Sequence, residues 1–389
     1  MEKPRNYRNV LLISLSQFGI GFSFNFVMVF LPFYVHGVSP YSFEETLIWV
    51  GLIMGSTSIV AAIASTFWGS LTARFSPKAL YLKGLLSHAV LILLMGFVTS
   101  LPWLLALRLF QGVLGGISTV GLVIVTSSTT RESAVRDIAF FQNTMTLGQL
   151  VGPPLGALAA SMLGYKGAFV SASLVVFVTL AFCYFNVVDI PTEPRQAGTP
   201  ERNRLDRRAF IGWGLCFTAT VQLMFLPSIL PNVFDAFHIG HEVALRWSGL
   251  VVMAYICTAM LGTYLLCRIA SRVGTRRLIL VTGVLGVAFQ ALLCLSPGIL
   301  DFVGIRMAQT AMIAPALPLV ISLFASDLKG KVLGFLNSGR FAGNALGPMI
   351  STWVLAYWSL NGVYLFVGGL SLLALLWFAY GFASRNAPR

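Results

Sequence analysis

Twelve long apolar stretches, divided by short polar or Pro/Gly-rich segments, constrain this 389-residue chain more than any other feature. A helix that crosses a bilayer needs roughly 20 apolar residues, so twelve of them occupy most of the sequence. Only 10% of the residues are charged, whereas soluble domains have about 25%. These observations exclude a soluble enzyme, a disordered chain and a small disulfide scaffold. The predicted spans are 9–35, 46–73, 79–99, 102–129, 137–163, 166–187, 209–234, 246–271, 277–296, 299–326, 332–357 and 361–383.

An all-α integral membrane fold follows from these spans, because an α-helix satisfies its own backbone polar groups in lipid. The first stretch is too long for the apolar core of a signal peptide, which predicts a permanent first span. The five cysteines form no Cys-x-x-Cys pair, so we expect free thiols rather than a zinc or redox site. We expect neither a metal nor a cofactor.

Basic residues are concentrated at every second break between the spans. The positive-inside rule assigns such loops to the cytoplasm. The loops on the opposite side contain only Lys166 and Arg246. We therefore expect both termini in the cytoplasm and the chain in the plasma (inner) membrane. The net charge of +13 then reflects topology and not nucleic-acid binding.

The longest polar stretch, 189–208, contains prolines and charges and shows no apolar periodicity. This composition is typical of a linker. We predict an N-terminal six-helix bundle at 1–188, a cytoplasmic linker at 189–208 and a C-terminal six-helix bundle at 209–389. A short ordered helix within 201–208 is the alternative for the end of the linker.

Three motifs recur in the second half of the chain, at offsets of 198, 198 and 195 residues. The pairs are Arg108-x-x-Gln111 with Arg306-x-x-Gln309, Arg74-x-x-x-Lys78 with Arg272-x-x-x-Arg276, and Gly148-x-x-x-Gly152-Pro153 with Gly343-x-x-x-Gly347-Pro348. A duplicated six-helix unit predicts two pseudo-symmetric bundles with a substrate path near the bilayer midplane. Transport by alternating access follows when one bundle rocks against the other.

The same motifs resemble those of the major facilitator superfamily, over the whole length of the chain. Leu105-x-x-Arg108-x-x-Gln111-Gly112 resembles its span-4 motif, and the segment 69–78 resembles its signature between spans 2 and 3. The segment 148–156 resembles the span-5 motif of the twelve-span drug:proton antiporters. This resemblance implies the major facilitator fold and export of small amphipathic organic molecules by a secondary active transporter.

The resemblance also implies roles for two groups of residues. The span-5 motif implies a hinge, and the signature implies a cytoplasmic gate, although plain helix packing is an alternative for the span-5 glycines. The hinge residues are Gly148, Gly152, Pro153, Pro154 and Gly156, and the gate residues are Gly69, Arg74 and Lys78. The family's signature has an Asp before its Arg, but this chain has Ala73. Glu132 and Asp137, in the neighbouring cytoplasmic loop, are the candidate substitutes.

Polar side chains within the spans are the candidates for substrate contacts. Charges inside a membrane are costly and usually face a cavity or a partner, which selects Arg108, Arg306 and Arg340. Snorkelling or an ion pair that only holds helices together is the alternative. Gln111, Asn344, Gln17, Asn25 and Gln142 are the candidate cavity amides.

None of the thirteen carboxylates falls in the middle of a span. A buried carboxylate is the usual proton carrier, so proton-coupled antiport stays an open question. Asp235, near the outer end of span 7, is the nearest substitute. His88, the one histidine well inside a span, is expected to be a hydrogen-bonded packing residue. Arginines without acids also favour a second hypothesis, an exporter or flippase of anionic amphiphiles or organic anions.

Two further hypotheses have less support. A polytopic membrane enzyme would need a nucleophile and base, or paired carboxylates, at membrane depth, and four histidines without a mid-span acid argue against it. The outer-loop sequence Asp235-x-x-His238-x-x-His241-Glu242 contains metal-ligating residue types but not a His-Glu-x-x-His pattern. The expected partners are a small-molecule substrate, membrane lipids and, if transport is coupled, protons, with the chain acting as a monomer.

Overall fold

The computed structural model describes residues 7–72, 74–130, 133–189, 207–323 and 330–383, and within these ranges almost all of the chain is helical. The helices are α1 (Tyr7–Val38), α2 (Phe43–Leu71), α3 (Pro77–Met95), α4 (Leu101–Leu114), α5 (Ile117–Ser128), α6 (Ala134–Asn186), α7 (Arg207–Met224), α8 (Leu226–Ala236), α9 (His241–Val273), α10 (Thr275–Leu292), α11 (Ile299–Ile313), α12 (Ala316–Leu323), α13 (Gly330–Tyr357) and α14 (Leu360–Ala383). A single 3-10 turn, Leu293–Leu295, follows α10.

These helices account for the twelve predicted crossings. Among the described residues, nine helical segments are long and apolar enough to cross a membrane. Two of these are the pairs α4–α5 and α11–α12, and the bent pair α7–α8 makes a tenth. Helix α6 has 53 residues and contains predicted spans 5 and 6, which are divided at Gly164 by a backbone φ of 69°. Glycine adopts this left-handed conformation without steric cost. Helix α13, with 28 residues, corresponds to span 11. The all-α membrane fold is confirmed.

Three spans consist of two helices each, and glycine or proline stands at every break. Span 4 is interrupted at Gly115 and Gly116, between α4 and α5. Span 10 is interrupted around Pro315, between α11 and α12. Span 7 bends by 40° between α7 and α8, where Pro227 is one of the first residues of α8. Proline removes a backbone donor and so interrupts the helical hydrogen bonds.

The chain forms two compact units. The first contains α1, α3 to α6, α2 from Ser56 onward and Leu245–Leu250 of α9. In this unit α1 packs along α6, and α3 contacts α4, α5 and α6. Aromatic packing contributes, since the rings of Phe30 and Phe169 lie 5.1 Å apart in an edge-to-face arrangement.

The second unit contains α7, α8, α10 to α14, the rest of α9 and Pro40–Gly55 at the start of α2. Here α7 packs along α13 and α14, and α10 contacts α11 and α14. The span pairs in contact are therefore equivalent in the two units: span 1 with span 5, and span 7 with span 11. The division of the chain at 188 and 208 stays a prediction, and most of the predicted linker lies outside the described residues.

Candidate functional site

Spans 4 and 10 each have an arginine and a glutamine three residues apart, and the two side chains are hydrogen-bonded in both spans. Nη1 of Arg108 donates to Oε1 of Gln111 at 2.7 Å, and Nη1 of Arg306 donates to Oε1 of Gln309 at 2.6 Å. Residues at this spacing are neighbours on a helix surface. Arg108 exposes 1% of its surface and Arg306 exposes none. The repeat found in the sequence thus extends to side-chain geometry.

In the first unit this pair belongs to a buried polar network with spans 1 and 3. Nη2 of Arg108 donates to Sδ of Met28 at 3.1 Å. Nε2 of Gln111 lies 3.1 Å from Nδ1 of His88, and Nε2 of that histidine lies 3.4 Å from Oγ of Ser23. His88 is therefore a buried, hydrogen-bonded residue that links three helices.

In the second unit Arg306 binds the backbone of span 7. Its Nη1 donates to the carbonyl oxygen of Gln222 at 2.8 Å, and its Nη2 donates to that of Leu223 at 2.9 Å. The guanidinium carbon also lies 4.7 Å from the ring centre of Phe225 and 4.9 Å from that of Tyr255. This arginine therefore has backbone and aromatic partners that hold it in place.

Amides complete the network around Arg306. Nε2 of Gln309 donates to Oε1 of Gln222 at 2.5 Å. Nε of Arg306 and Nε2 of Gln222 have no hydrogen-bond partner among the described residues. The network thus has more donors than acceptors, and its guanidinium charge is balanced by carbonyl dipoles and aromatic rings.

Arg340 differs from both, because its side chain is exposed. It is the eleventh residue of α13, roughly 15 Å along the helix from its start. In the described part of the chain neither a hydrogen bond nor an ion pair holds it, and its guanidinium carbon lies 5.5 Å from the ring centre of Phe341. A charge at this depth requires a water-filled cavity, a ligand or another partner.

Two asparagines lie on the same side of α13 as Arg340. Asn337, Arg340 and Asn344 are spaced three and four residues apart, which places them on one helix face; we call this set the polar arc of α13. Both asparagines are half-buried. On the other side of the helix, Leu346 and Trp353 expose 36% and 54% of their surfaces, as expected for residues that face lipid. The polar arc therefore faces away from the lipid side.

Span 5 has amides at the equivalent positions. Gln142 and Gln149 precede Asn337 and Asn344 by the same 195 residues that relate the glycine motifs, and Met145 stands at the position of Arg340. Gln142 is exposed and Gln149 is half-buried. Each unit thus has a pair of amides on the equivalent helix face. The residue between the two amides is a cation, Arg340, in the second unit and Met145 in the first.

The glycines of the span-5 motif let α6 approach α1 closely. A Cβ atom at Gly148, Gly152 or Gly156 would collide with a carbonyl oxygen of α1, namely that of Phe18, Phe22 or Phe26, respectively. At Gly152 the distance to the carbonyl oxygen would be 2.7 Å. The motif therefore acts as a tight helix contact inside the first unit.

The two prolines of the motif lie inside α6. Pro153 is buried and Pro154 is half-buried. A Cβ atom at Gly249 of α9 would lie 2.5 Å from the carbonyl oxygen of Pro153 and 2.6 Å from the Cα of Pro154. The proline pair is thus a second point of close backbone approach, and its role as a hinge stays a prediction.

The remaining candidate amides of span 1 have partners. Gln17 is fully buried, donates to the hydroxyl of Tyr81 at 2.9 Å and accepts from Oγ of Ser118 at 3.1 Å. Asn25 is half-buried and donates to the carbonyl oxygen of Gly21 in its own helix at 3.1 Å. Gln17 therefore holds spans 1, 3 and 4 together, whereas Asn25 lies beside the span-5 contact.

The predicted cytoplasmic gate residues lie at the end of α2 and the start of α3. Gly69 is within α2, and Arg74 is exposed. Nζ of Lys78 donates to the carbonyl oxygen of Tyr184 at 3.0 Å, and its backbone N–H donates to Oδ1 of Asp189 at 3.3 Å. Lys78 thus anchors the end of α6 in the same unit. Ala73 and Glu132 lie outside the described residues.

Asp137 is the one buried carboxylate in the described ranges. It lies in the first turn of α6 and accepts hydrogen bonds from Oγ1 of Thr129 at 2.5 Å and from Oγ of Ser133 at 2.9 Å. Asp235, the proposed substitute proton carrier, is exposed at the end of α8. The described middle portions of the spans contain no carboxylate.

The acidic and histidine residues of the outer loop do not form a metal-binding group among the described residues. Asp235, His238, His241 and Glu242 are all exposed. Among the described residues, no group of three His, Cys, Asp or Glu side chains is close enough to hold a metal ion. The loop therefore gives a metal-binding hypothesis no structural support.

Sequence reasoning missed Met28, Tyr81 and Pro227. The hydroxyl of Tyr81 lies 2.5 Å from Oγ of Ser16 in addition to its bond with Gln17. Pro227 stands inside an apolar run, and a proline there is a visible signal for a broken span. The sequence has no comparable signal for the contact between Met28 and Arg108, because an apolar residue in a span is expected to face lipid or core.

Comparison with known proteins identifies relatives along the whole chain. The chain is 25% identical over 384 residues to the multidrug resistance protein MdtG of Klebsiella pneumoniae. This alignment covers 95% of this chain and 93% of MdtG. It is 27% identical over 392 residues to the uncharacterized MFS-type transporter YuxJ of Bacillus subtilis. This alignment covers 93% of this chain and 96% of YuxJ.

Solved structures show the same fold. A bacterial homologue of the human lysosomal transporter Spinster superimposes with a TM-score of 0.80 at 15% identity, covering 99% of this chain and 98% of the other. The nucleoside transporter NupG superimposes with a TM-score of 0.77 at 14% identity, covering 96% of this chain and 99% of NupG. The family model of the Major Facilitator Superfamily matches residues 13–299 and 211–389. The chain therefore belongs to the Major Facilitator Superfamily, and it is a membrane transporter and not an enzyme.

Proposed function

We propose that this chain exports small amphipathic organic molecules from the cytoplasm by alternating access, as a monomer in the plasma (inner) membrane. The observation that carries this proposal is the polar arc of α13. It places an exposed guanidinium and two amides on one face of a mostly apolar span. An apolar site with a few polar groups is suited to amphipathic ligands.

The relatives support export as the direction of transport. MdtG, at 25% identity over nearly the whole chain, is named for multidrug resistance, and such resistance arises when a transporter removes compounds from the cell. The amides at matching positions of spans 5 and 11 support a polar binding face within each unit. Gln142, Gln149, Asn337 and Asn344 would donate and accept hydrogen bonds without selecting for ligand charge.

A second candidate is an exporter or flippase of anionic amphiphiles with weak or no proton coupling. Arg340 favours it, because an exposed guanidinium at membrane depth attracts a carboxylate, sulfonate or phosphate. The described middle portions of the spans offer no negative charge to a cationic ligand or to a transported proton. Proton coupling would then need Asp137, Asp235, His88 or a protonatable group on the substrate itself.

Transport of two dyes of opposite charge distinguishes the two candidates. We expect purified protein in liposomes to transport anilinonaphthalene sulfonate with saturable kinetics, and to transport ethidium more slowly. The physical reason is the cation at Arg340, which attracts the sulfonate and repels the phenanthridinium. The measurement is fluorescence uptake with and without an imposed pH gradient, and protein-free liposomes are the control.

The outcomes separate the proposals. Saturable transport of the anion alone supports the second candidate, and transport of both dyes supports the broader one. A rate that is unchanged by the pH gradient for both dyes contradicts proton coupling. If neither dye is transported with saturable kinetics, the proposed export of amphipathic molecules is wrong.

The proposed orientation is tested by the accessibility of introduced cysteines. Ser359, between α13 and α14, is predicted to lie outside the cell, and Ser271, near the end of α9, in the cytoplasm; both are exposed. We expect a membrane-impermeant maleimide to label Ser359→Cys in intact cells, and to label Ser271→Cys only after permeabilisation. The wild-type chain, with its native cysteines, is the control. The reverse pattern would contradict the orientation.

A further inference from the structure

We propose that Arg306 is the cap of α7 and thereby the residue that positions α8, the second segment of span 7. The inference concerns how span 7 is held in its bent form, and it rests on the proposed function only where transport is the readout. The sequence motif assigns Arg306 the same role as Arg108. The structure gives Arg306 hydrogen bonds to the backbone of span 7, and these bonds carry the inference.

Span 7 needs external hydrogen-bond donors where it breaks. Helix α7 ends at Met224 and α8 begins at Leu226. The last carbonyls of a helix have no partner within it. In a continuous helix the carbonyl of Leu223 would accept from residue 227, but Pro227 has no N–H. This partly buried carbonyl oxygen therefore needs a donor from outside its own helix.

Arg306 supplies these donors. Its two terminal nitrogens donate to the successive carbonyl oxygens of Gln222 and Leu223, at 2.8 and 2.9 Å. The guanidinium group is a planar fork, and this geometry matches two neighbouring acceptors. Its positive charge also lies at the end of α7 where the helix dipole is negative. Hydrogen bonding and electrostatics therefore both stabilise the end of α7.

The aromatic contacts of Arg306 involve the break itself. Phe225 is the residue between α7 and α8, and its ring centre lies 4.7 Å from the guanidinium carbon. Tyr255 of α9 lies at 4.9 Å. The side chain of Gln309 fixes the guanidinium from its own helix at 2.6 Å. The arginine thus connects the bend of span 7 to spans 8 and 10.

Span 1, which is equivalent to span 7 in the repeat, also contains a proline, Pro32, but it is not divided into two helices. Helix α1 is continuous from Tyr7 to Val38. The hydrogen bonds described for Arg108 go to the side chains of Gln111 and Met28, and its guanidinium carbon lies 5.4 Å from the ring of Phe24. Arg108 serves as a matched control, because it has the same motif and the same burial but belongs to the other unit.

The position of α8 matters because this segment contacts span 11. Oγ of Ser228 in α8 lies 2.9 Å from Oγ of Ser351 in α13. Helix α13 also contains the polar arc with Arg340. A loose end of α7 would let α8 take several orientations, so that turnover falls while the binding groups of the polar arc stay in place.

The test measures the bend directly, by pulsed electron paramagnetic resonance between two nitroxide labels. The labels are attached at Phe210→Cys in α7 and Ala236→Cys in α8, both exposed positions, in a cysteine-free background that retains wild-type transport. We expect Arg306→Gln to broaden the distance distribution and Arg306→Lys to give an intermediate width, because Lys keeps the charge but loses the fork. Arg108→Gln should leave the width unchanged.

A second variant tests the hydrogen-bond argument. Pro227→Ala returns an N–H that can donate to the carbonyl oxygen of Leu223 within a continuous helix. In the Arg306→Gln background this change should narrow the distribution again. The same distribution for wild type and Arg306→Gln, or no narrowing by Pro227→Ala, would overturn the proposal.

Kinetics separate capping from substrate binding. We expect Arg306→Gln to lower the maximal rate by about tenfold and to change KM by less than about twofold, as for a residue that does not bind the ground state. A rise in KM with an unchanged maximal rate would make Arg306 a substrate ligand and would overturn the proposal. The distance measurement needs no substrate, so it still decides the proposal if neither dye is transported.

Discussion

Replacing Arg340 by glutamine is expected to weaken the binding of an anionic amphiphile by roughly 5- to 150-fold, equivalent to about 1–3 kcal/mol for a charge-assisted hydrogen bond. Arg340 is exposed on α13 and has no described hydrogen bond that would compete with a ligand. Its neighbours Asn337 and Asn344 would still offer neutral hydrogen bonds, so binding is weakened and not abolished. The measurement is substrate affinity of purified protein in proteoliposomes.

The comparison with lysine and with a second arginine makes this result specific. Arg340→Lys should restore part of the affinity, because it keeps the charge but loses the planar fork. Arg268→Gln, at an exposed position near the end of α9, removes the same charge elsewhere and should leave affinity unchanged. If Arg340→Gln lowers thermal stability without changing affinity, or if lipophilic cations bind most tightly and are unaffected, the anionic-substrate hypothesis is wrong.

Gly152→Leu is expected to abolish transport while the protein stays folded in detergent, and Gly152→Ala to reduce it by about tenfold or more. Even the Cβ atom of alanine would lie 2.7 Å from the carbonyl oxygen of Phe22. This neighbour is backbone, so relief requires α1 and α6 to separate. Overpacking of this kind costs about 1–3 kcal/mol, and it displaces the span that contains Gln17 and Asn25.

The matched control is Gly304→Ala in α11, where an added Cβ atom meets nothing within 4 Å. This variant introduces the same methyl group into a membrane helix and should transport at the wild-type rate. The measurements are initial transport rate and elution of the detergent-solubilised protein as a single folded species. Near-normal transport by Gly152→Ala and Gly152→Leu would contradict the assignment of a functional role to the span-5 motif.

The fold was largely predictable because the bilayer imposes simple demands on a sequence. Apolar length predicts each crossing, and every predicted span overlaps a helix or a helix pair in the structure. Glycine and proline residues also marked breaks between helices, as at Gly164, where the boundary between spans 5 and 6 falls. Family membership, confirmed by the match to the superfamily model, was carried by motifs whose spacing reflects helix geometry.

The environment of each candidate residue was less predictable. Arg108, Arg306 and Arg340 are all arginines inside apolar spans, and hydropathy treats them alike. The structure buries the first two completely and leaves the third exposed. The environment of a side chain depends on which helices pack around the helix that carries it. These neighbouring helices cannot be derived from a single sequence.

The sequence alone therefore determined the class of this protein: a twelve-span, internally repeated membrane transporter of the Major Facilitator Superfamily, with polar groups in defined spans. These properties depend on composition, length and periodicity, which are local. Tertiary structure decided what the repeated motifs do. In the second unit the Arg-x-x-Gln pair binds the end of a broken helix. The reason is physical: Pro227 frees a carbonyl group in span 7, and only packing brings Arg306 to that carbonyl.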